Sequence, residues 1–231
     1  MELDLAGKTA VVTGTAQGIG AAIAQALRDE GAMVHGVDRD SADLTDESAV
    51  AAFIASCGPA DILVNCAGGV TGQVGRPLED VSLADWRAVV DANLTTAFLC
   101  SRAVVPAMKQ RGWGRIVTIS SGAGLGVSKT GIQAYTSAKA AQIAFTRQLA
   151  HDLGPFGITA NCIAPGFIRS NPSTEKQWES YGPDGQAALV EAIYTRRLGV
   201  PADIANGVLF FASPRSSWVT GQVIAIDGGH A

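Results

Sequence analysis

The stretch "TAVVTGTAQGIGAAIAQALRDEGAMVHGVD", residues 9–38, decides the fold. Residues 9–14 are an apolar run closed by Gly14, the pattern of a buried strand. Residues 19–32 carry apolar side chains at helical spacing, with a glycine at the end that predicts a stop. A second apolar run, 33–38, closes on Asp38. Strand, helix and strand in that order make a parallel crossover.

The alternation continues along the chain. Helices are expected over 46–58, 82–112 and 134–154, and strands over 61–68, 114–121, 158–166 and 223–229. Ser82 is a plausible N-cap, Gly154 a plausible C-terminal stop, and Pro106 should bend the 82–112 stretch or sit near its last turns. The pattern predicts an α/β fold: one doubly wound, Rossmann-like parallel sheet with helices on both faces, in a single domain over 1–231. One interval is too short. Only "RDS" separates Asp38 from "ADL" at 42–44, whereas a crossover with its helix needs roughly 10–12 residues or more. The usual edge strand and helix are therefore expected to be lost or reduced here.

Composition narrows the function. The 231 residues carry a net charge of −4 and no basic run, which argues against a nucleic-acid surface. The N-terminus lacks a signal-peptide pattern, and the apolar runs are short, so neither secretion nor a membrane span is expected. Cys57, Cys66, Cys100 and Cys162 have no C-x-x-C spacing and read as reduced thiols of a cytoplasmic protein. His35, His151 and His230 are far apart, so no metal site is expected.

"TGTAQGIG", 13–20, joins the first strand to the first helix. Its glycines permit a tight turn and close approach of backbone to a pyrophosphate, which the helix N-terminus favours electrostatically. There is no G-K-[ST], so a triphosphate loop is disfavoured. Gly14, Gln17, Gly18, Ile19 and Gly20 are the cofactor candidates of this turn. Asp38, about 20 residues on, would accept from a ribose 2′-OH and repel a 2′-phosphate, which favours NAD. Arg39 beside it would attract that phosphate and keeps NADP open. Asp43 and Leu44 would flank an adenine ring, and Asn65, Ala67 and Gly68 of "NCAG" end the strand beside the expected crevice.

Tyr135 and Lys139, in "AYTSAKAAQIAF", are neighbours on one helix face. Alone, such a pair is usually a packing tyrosine beside a solvated lysine. Here "GRIVTISSGAG" ends a strand just before it, offering Ser120 and Ser121 at the sheet's carboxyl edge. A nearby ammonium stabilises a phenolate, so the pair can act as a general acid/base for hydroxyl–carbonyl interconversion. Asn93 is a poor helix-interior residue, and either holds a local irregularity or a water, or is merely tolerated.

With "TGTAQGIG", "NCAG", Asn93, "ISS", "YTSAK", "APGFI" and "DGG" in this order, the chain resembles the short-chain dehydrogenase/reductase family nearly end to end. The resemblance implies a nicotinamide cofactor and a tetrad of Asn93, Ser121, Tyr135 and Lys139. Tyr135 would be the acid/base. Lys139 would lower its pKa and contact the nicotinamide ribose, Ser121 would polarise the substrate oxygen, and Asn93 would hold a relay water. Pro165, Gly166 and Ile168 would wrap the nicotinamide, and Ser170 would reach the pyrophosphate. Three departures stand out: the short segment after Asp38, Cys66 where asparagine is usual, and a Ser121–Tyr135 interval one residue longer than the commonest. The last leaves Ser120 as the alternative serine.

The family places a substrate lid at about 169–199. In this chain it is polar, with Arg169, Asn171, Ser173, Glu175, Lys176, Gln177 and Glu179, beside Trp178 and Tyr181. A small polar hydroxy or keto substrate is expected, unless these charges face solvent; acyl, cyclic or aryl ketones are the alternative. Lys129 would meet a substrate carboxylate, or simply water. An epimerase or dehydratase would need a larger substrate lobe, and a non-catalytic dinucleotide sensor need not keep Ser121, Tyr135 and Lys139. The resemblance also implies a homodimer or homotetramer through 82–112 and 134–154, whose Ala138, Ala141 and Ala150 either permit close approach or pack on their own sheet.

Overall fold

The computed structural model describes residues 2–128 and 130–229; Lys129 and His230 lie outside them. Six strands form one parallel sheet: β1 (Thr9–Thr13), β2 (Met33–Val37), β3 (Ile62–Asn65), β4 (Gly114–Ile119), β5 (Ile158–Pro165) and β6 (Val223–Ile226). Their order is β2-β1-β3-β4-β5-β6. The helices are α1 (Gly18–Asp29), α2 (Glu47–Cys57), α3 (Leu83–Val90), α4 (Thr96–Arg111), α5 (Gln133–Leu153), α6 (Pro172–Ser180), α7 (Gly182–Ala192) and α8 (Pro201–Ala212).

Strand side chains alternate between two cores, as the pleat requires. Ala10, Val12, Ile62, Val64, Val117, Ile119 and Ile163 pack with α1 and α8. Val11, Leu63, Ile116, Ile158 and Ala160 face the other way, onto α2, α4 and α5. A strand buried on both faces reads as a continuous apolar run, which is why β1, β3 and β5 were legible. Residues 201–212 were not read as a helix from sequence, although Pro201 stands at its first turn.

The short interval after Asp38 has the expected consequence. Residues 38–46 hold no strand or helix, and Ser41 and Ala42 both donate to the Asp38 carbonyl, at 2.9 and 3.1 Å. The chain then enters α2, capped by Asp46, and crosses β1 to reach β3. β2 is therefore an edge of the sheet. Between β1 and β3 the strand order reverses, and a crevice opens beyond their carboxyl ends.

The 82–112 stretch is continuous but not uniformly α-helical. Ser82 caps α3 by accepting from the Asp85 N–H at 3.0 Å, and residues 91–95 form a π-turn before α4. Pro106 lies inside α4, in its latter half. Leu83–Arg111 matches a membrane span in length and hydropathy, yet Leu99, Cys100, Val104 and Met108 are packed in the second core.

Gly154 is the C-cap of α5, as expected, at φ −52°, and the chain runs on as a 3-10 turn through Phe156. Gly157 is the left-handed residue, at φ 71°, and a Cβ there would sit 2.3 Å from the Gly112 carbonyl oxygen. Ala138 and Ala150 are buried within their own chain, so of the three alanines only Ala141 is partly open to a neighbour.

Gly157→Ala is expected to lower stability by at least the roughly 1–2 kcal/mol of a left-handed Cβ, with the clash adding to it. Gly154→Ala meets open space and should change stability by less than about 1 kcal/mol, since Pro155 offsets the entropic gain. Urea denaturation of both variants checks the assignment of the stop.

Candidate active site

The turn after β1 is built around absent side chains. A Cβ on Gly14 would lie 2.9 Å from the Ala67 backbone, one on Gly18 2.6 Å from the Ser170 carbonyl, and one on Gly20 2.0 Å from the Gly14 carbonyl. Gly14, Gly18 and Gly20 thus let the turn, the "NCAG" loop and Ser170 converge. Gln17 is exposed and supplies no side-chain cap to α1. The first-turn amides around Ile19 remain a natural anion cradle. Thr13, which the sequence reading missed, ties the wall together: its Oγ1 accepts from the Cys66 and Ala67 N–H groups at 3.0 and 2.9 Å.

Asp38 is fixed at the edge of this cradle. Its carboxylate accepts from the Ala16 N–H and the Arg39 N–H, at 2.9 and 2.8 Å. A carboxylate retains further lone pairs for hydroxyl donors. The other adenosine-side candidates are placed differently from expectation. Leu44 is buried in the second core, where it packs rather than presents a face to a ring. Asp43 accepts from Thr45 through both backbone and hydroxyl, which holds its carboxyl below the ordinary range. Asn65 turns its side chain into the protein and donates to Ser101 Oγ at 3.1 Å.

At the other end, Pro165 terminates β5, Gly166 presses against Asp227, and Ile168 is buried in the first core rather than exposed to a ligand. Gly68 adopts φ 139°, and a Cβ there would strike Asn93.

The four tetrad candidates come together at the carboxyl edge of β4. Ser120 is buried and donates to the Lys139 carbonyl at 2.8 Å, so its hydroxyl hydrogen is engaged inside the protein. Ser121 follows β4; its Oγ accepts from the Ala123 N–H at 3.2 Å and faces the Tyr135 phenol. Lys139 is 4 % exposed. Its Nζ lies 5.6 Å from the Tyr135 ring centre and donates to Ile119 O at 2.9 Å and Gln142 Oε1 at 3.1 Å. Burial pushes the Lys139 ammonium down to about 8. Burial likewise pushes the Tyr135 phenol up, and the nearby Ser121 hydroxyl acts against it.

Asn93 departs further from expectation. Its side chain braces the "NCAG" loop, with Oδ1 accepting from the Gly69 N–H at 3.0 Å and Nδ2 donating to Gly69 O and Val89 O at 2.8 Å. Its main-chain carbonyl accepts from Gln142 Nε2 at 2.9 Å, while the Thr96 hydroxyl has its nearer acceptor in Ala92 O, at 2.9 Å against 3.2 Å to Asn93 O. Gln142 was missed; its signal was a polar residue on a stripe of Ala138, Lys139 and Ile143 that the fold buries.

In the 169–199 segment the expected polar wall is partly self-neutralised. Arg169 pairs with Glu175 at 2.7 Å and covers Trp178 at 5.3 Å. Phe167, Trp178 and Tyr181 form a partly buried aromatic cluster, with ring centres 6.2 and 5.9 Å from Phe167. The loop around Gln73 joins α5: Gln73 Oε1 accepts from the Tyr135 N–H at 3.3 Å.

The family model described as Enoyl-(Acyl carrier protein) reductase matches residues 41–231. The Streptomyces niveus short-chain reductase protein NovJ is 36% identical, over 95% of this chain and 92% of its own. A Rhodococcus cyclohexanol dehydrogenase is 35% identical, over 98% and 97%. A Beutenbergia cavernae structure with bound NADP, described as an NAD(P)-dependent gluconate 5-dehydrogenase, superposes with TM-score 0.89 at 34% identity, over 99% and 98%.

The burial of Lys139 sets a measurable sign. Its folded value of about 8 lies below the ordinary 10.5. The cost of burying the ammonium is thus present in full below about pH 8 and relieved as pH rises toward 10.5, where the unfolded chain still holds the proton. The buried thiols of Cys66, Cys100 and Cys162 are pushed up and act oppositely; Cys100 is common to wild type and variant, while Cys66 and Cys162 face Lys139 and lose its charge in the variant, which pushes them further up. The stability of wild type minus Lys139→Met should therefore rise between pH 7.5 and 9.5, roughly within this window. Denaturation at the two pH values measures it, and a constant difference would mean an ordinary lysine.

Proposed function

The chain belongs to the short-chain dehydrogenase/reductase family of oxidoreductases, and within it we propose an NAD-preferring enzyme that interconverts a small secondary alcohol and its ketone. The observation that carries this reading is the convergence of Ser121, Tyr135 and Lys139 beside the glycine cradle. Bound nicotinamide would supply or accept the hydride. Tyr135 Oη gives its proton to the substrate oxygen in reduction and removes it in oxidation, while Ser121 donates to the same oxygen. Lys139 holds positive charge beside the phenol and contacts the ribose. Asp38, fixed by two backbone N–H groups, selects NAD over NADP by repelling a 2′-phosphate. The residues 169–199 act as the substrate lid.

For the substrate, the Arg169–Glu175 pair removes much of the argument for a polar compound. The cluster of Phe167, Trp178 and Tyr181 favours a flat cyclic or aryl hydroxy or keto compound. The similar cyclohexanol dehydrogenase supports it. A small polyol or sugar acid is the second reading, supported by the gluconate dehydrogenase likeness. Self-association is proposed through the outer face of α4 and α5, where Phe98 is 42% exposed against Phe145.

Nicotinamide absorbance, followed with both cofactors and a panel of cyclic, aryl, polyol and hydroxy-acid substrates, tests the reading. Tyr135→Phe should reduce turnover by about 10²–10⁴-fold while NADH binding persists. Asp38→Ser should raise the use of NADP relative to NAD. Oxidation should accelerate toward alkaline pH, because Tyr135 must lose its proton to act as base. Undiminished turnover in Tyr135→Phe would sink the acid/base assignment.

A further inference from the structure

The buried glutamine on α5 has no role in the reaction described above, yet it touches two members of the tetrad. Gln142 is fully buried, one turn beyond Lys139. An ammonium only donates and a carbonyl only accepts. The amide orientation is therefore fixed by its partners: Oε1 must face Lys139 Nζ, and Nε2 must face Asn93 O. The far side is equally determined. The π-turn at 91–95 carries Asn93 O, which accepts the Gln142 amide hydrogen at 2.9 Å.

We propose that Gln142 is a positioning residue for the reaction: its carboxamide ties the Lys139 ammonium to the Asn93 carbonyl and fills the gap between them with a fixed dipole. The proposal rests on Tyr135 and Lys139 being the acid/base pair. Two consequences follow. Ile119 O and Gln142 Oε1 together hold the ammonium under the Tyr135 ring. The amide, unlike a water, neither rotates nor exchanges its hydrogens readily, so protons do not leave the site by way of Asn93. The other titratable groups facing Lys139 are Tyr135, Cys66 and Cys162.

Gln142→Met keeps the volume and removes both bonds. Gln142→Glu keeps the size and, as a carboxylate, the acceptor for Lys139, and gives up only the donor to Asn93 O. The readout that needs neither substrate nor cofactor is the ionisation of Lys139, followed by NMR of ε-13C-labelled lysine and identified by its absence in Lys139→Met. Gln142→Met should lower the Lys139 midpoint by about one pH unit, because an acceptor for the ammonium is gone; Gln142→Glu should raise it by at least as much. With an active substrate, Gln142→Met should lose roughly tenfold in kcat, with substrate KM within about twofold. An unchanged Lys139 midpoint in both variants, with wild-type kcat, would overturn the proposal whatever happens to Tm. Tyr135→Phe separates the two readings. If it retains turnover, the acid/base assignment fails while the lysine titration still reports on the tie. If it is dead and the Gln142 variants match wild type, only the tie fails.

Discussion

A lysine ammonium buried to 4 % exposure must find acceptors inside the protein, because taking an unpaired charge from water costs several kcal/mol or more. Much of the site follows from that demand. One acceptor is the last carbonyl of β4, so the end of that strand and the first turns of α5 must stay in register. The other is the side chain of Gln142, whose amide nitrogen in turn needs an acceptor of its own. The π-turn supplies it. Asn93 then looks outward with its side chain to brace Gly69 and inward with its carbonyl to receive Gln142. Loop, π-turn, helix and strand are joined through a single buried cation.

The same economy of space governs the other half of the crevice. Three glycines bring backbone within contact distance of backbone where any side chain would intrude, so the β1 turn, the "NCAG" loop and Ser170 close around one small volume. Thr13 substitutes for a longer loop by accepting two amides of the facing strand end. Asp38 is anchored before any ligand arrives, which lowers the ordering cost of binding one.

Much of this was legible in the sequence because its causes are local. Period and turn chemistry located the six strands, and loop arithmetic showed that nothing regular fits after Asp38. Ser82 as a cap and Asn93 as an irregularity followed from intrinsic preference. What the sequence hid depends on distant partners. Leu44 and Ile168 sit at motif positions, but their side chains are claimed by the two cores. Asn65 turns toward Ser101 on another helix. Gly154 and Gly157 look alike as letters, and only the proximity of the Gly112 carbonyl distinguishes them. Gln142 is polar on a helix face that the fold buries, a conflict that becomes meaningful once both of its partners are in place.

The outermost position of β2 has an implication for how such a sheet tolerates loss. Each strand from β4 to β6 lies on its predecessor, β3 lies on β1, and β2 lies on the opposite flank of β1. Material beyond β2 can be peeled away without re-pairing any remaining strand. What is left is a rim of unsatisfied peptide groups, the kind of surface that templates fibrous association. Five residues, with Gly36 near the end and Leu44 pulling the chain inward immediately afterwards, make a template too short to propagate.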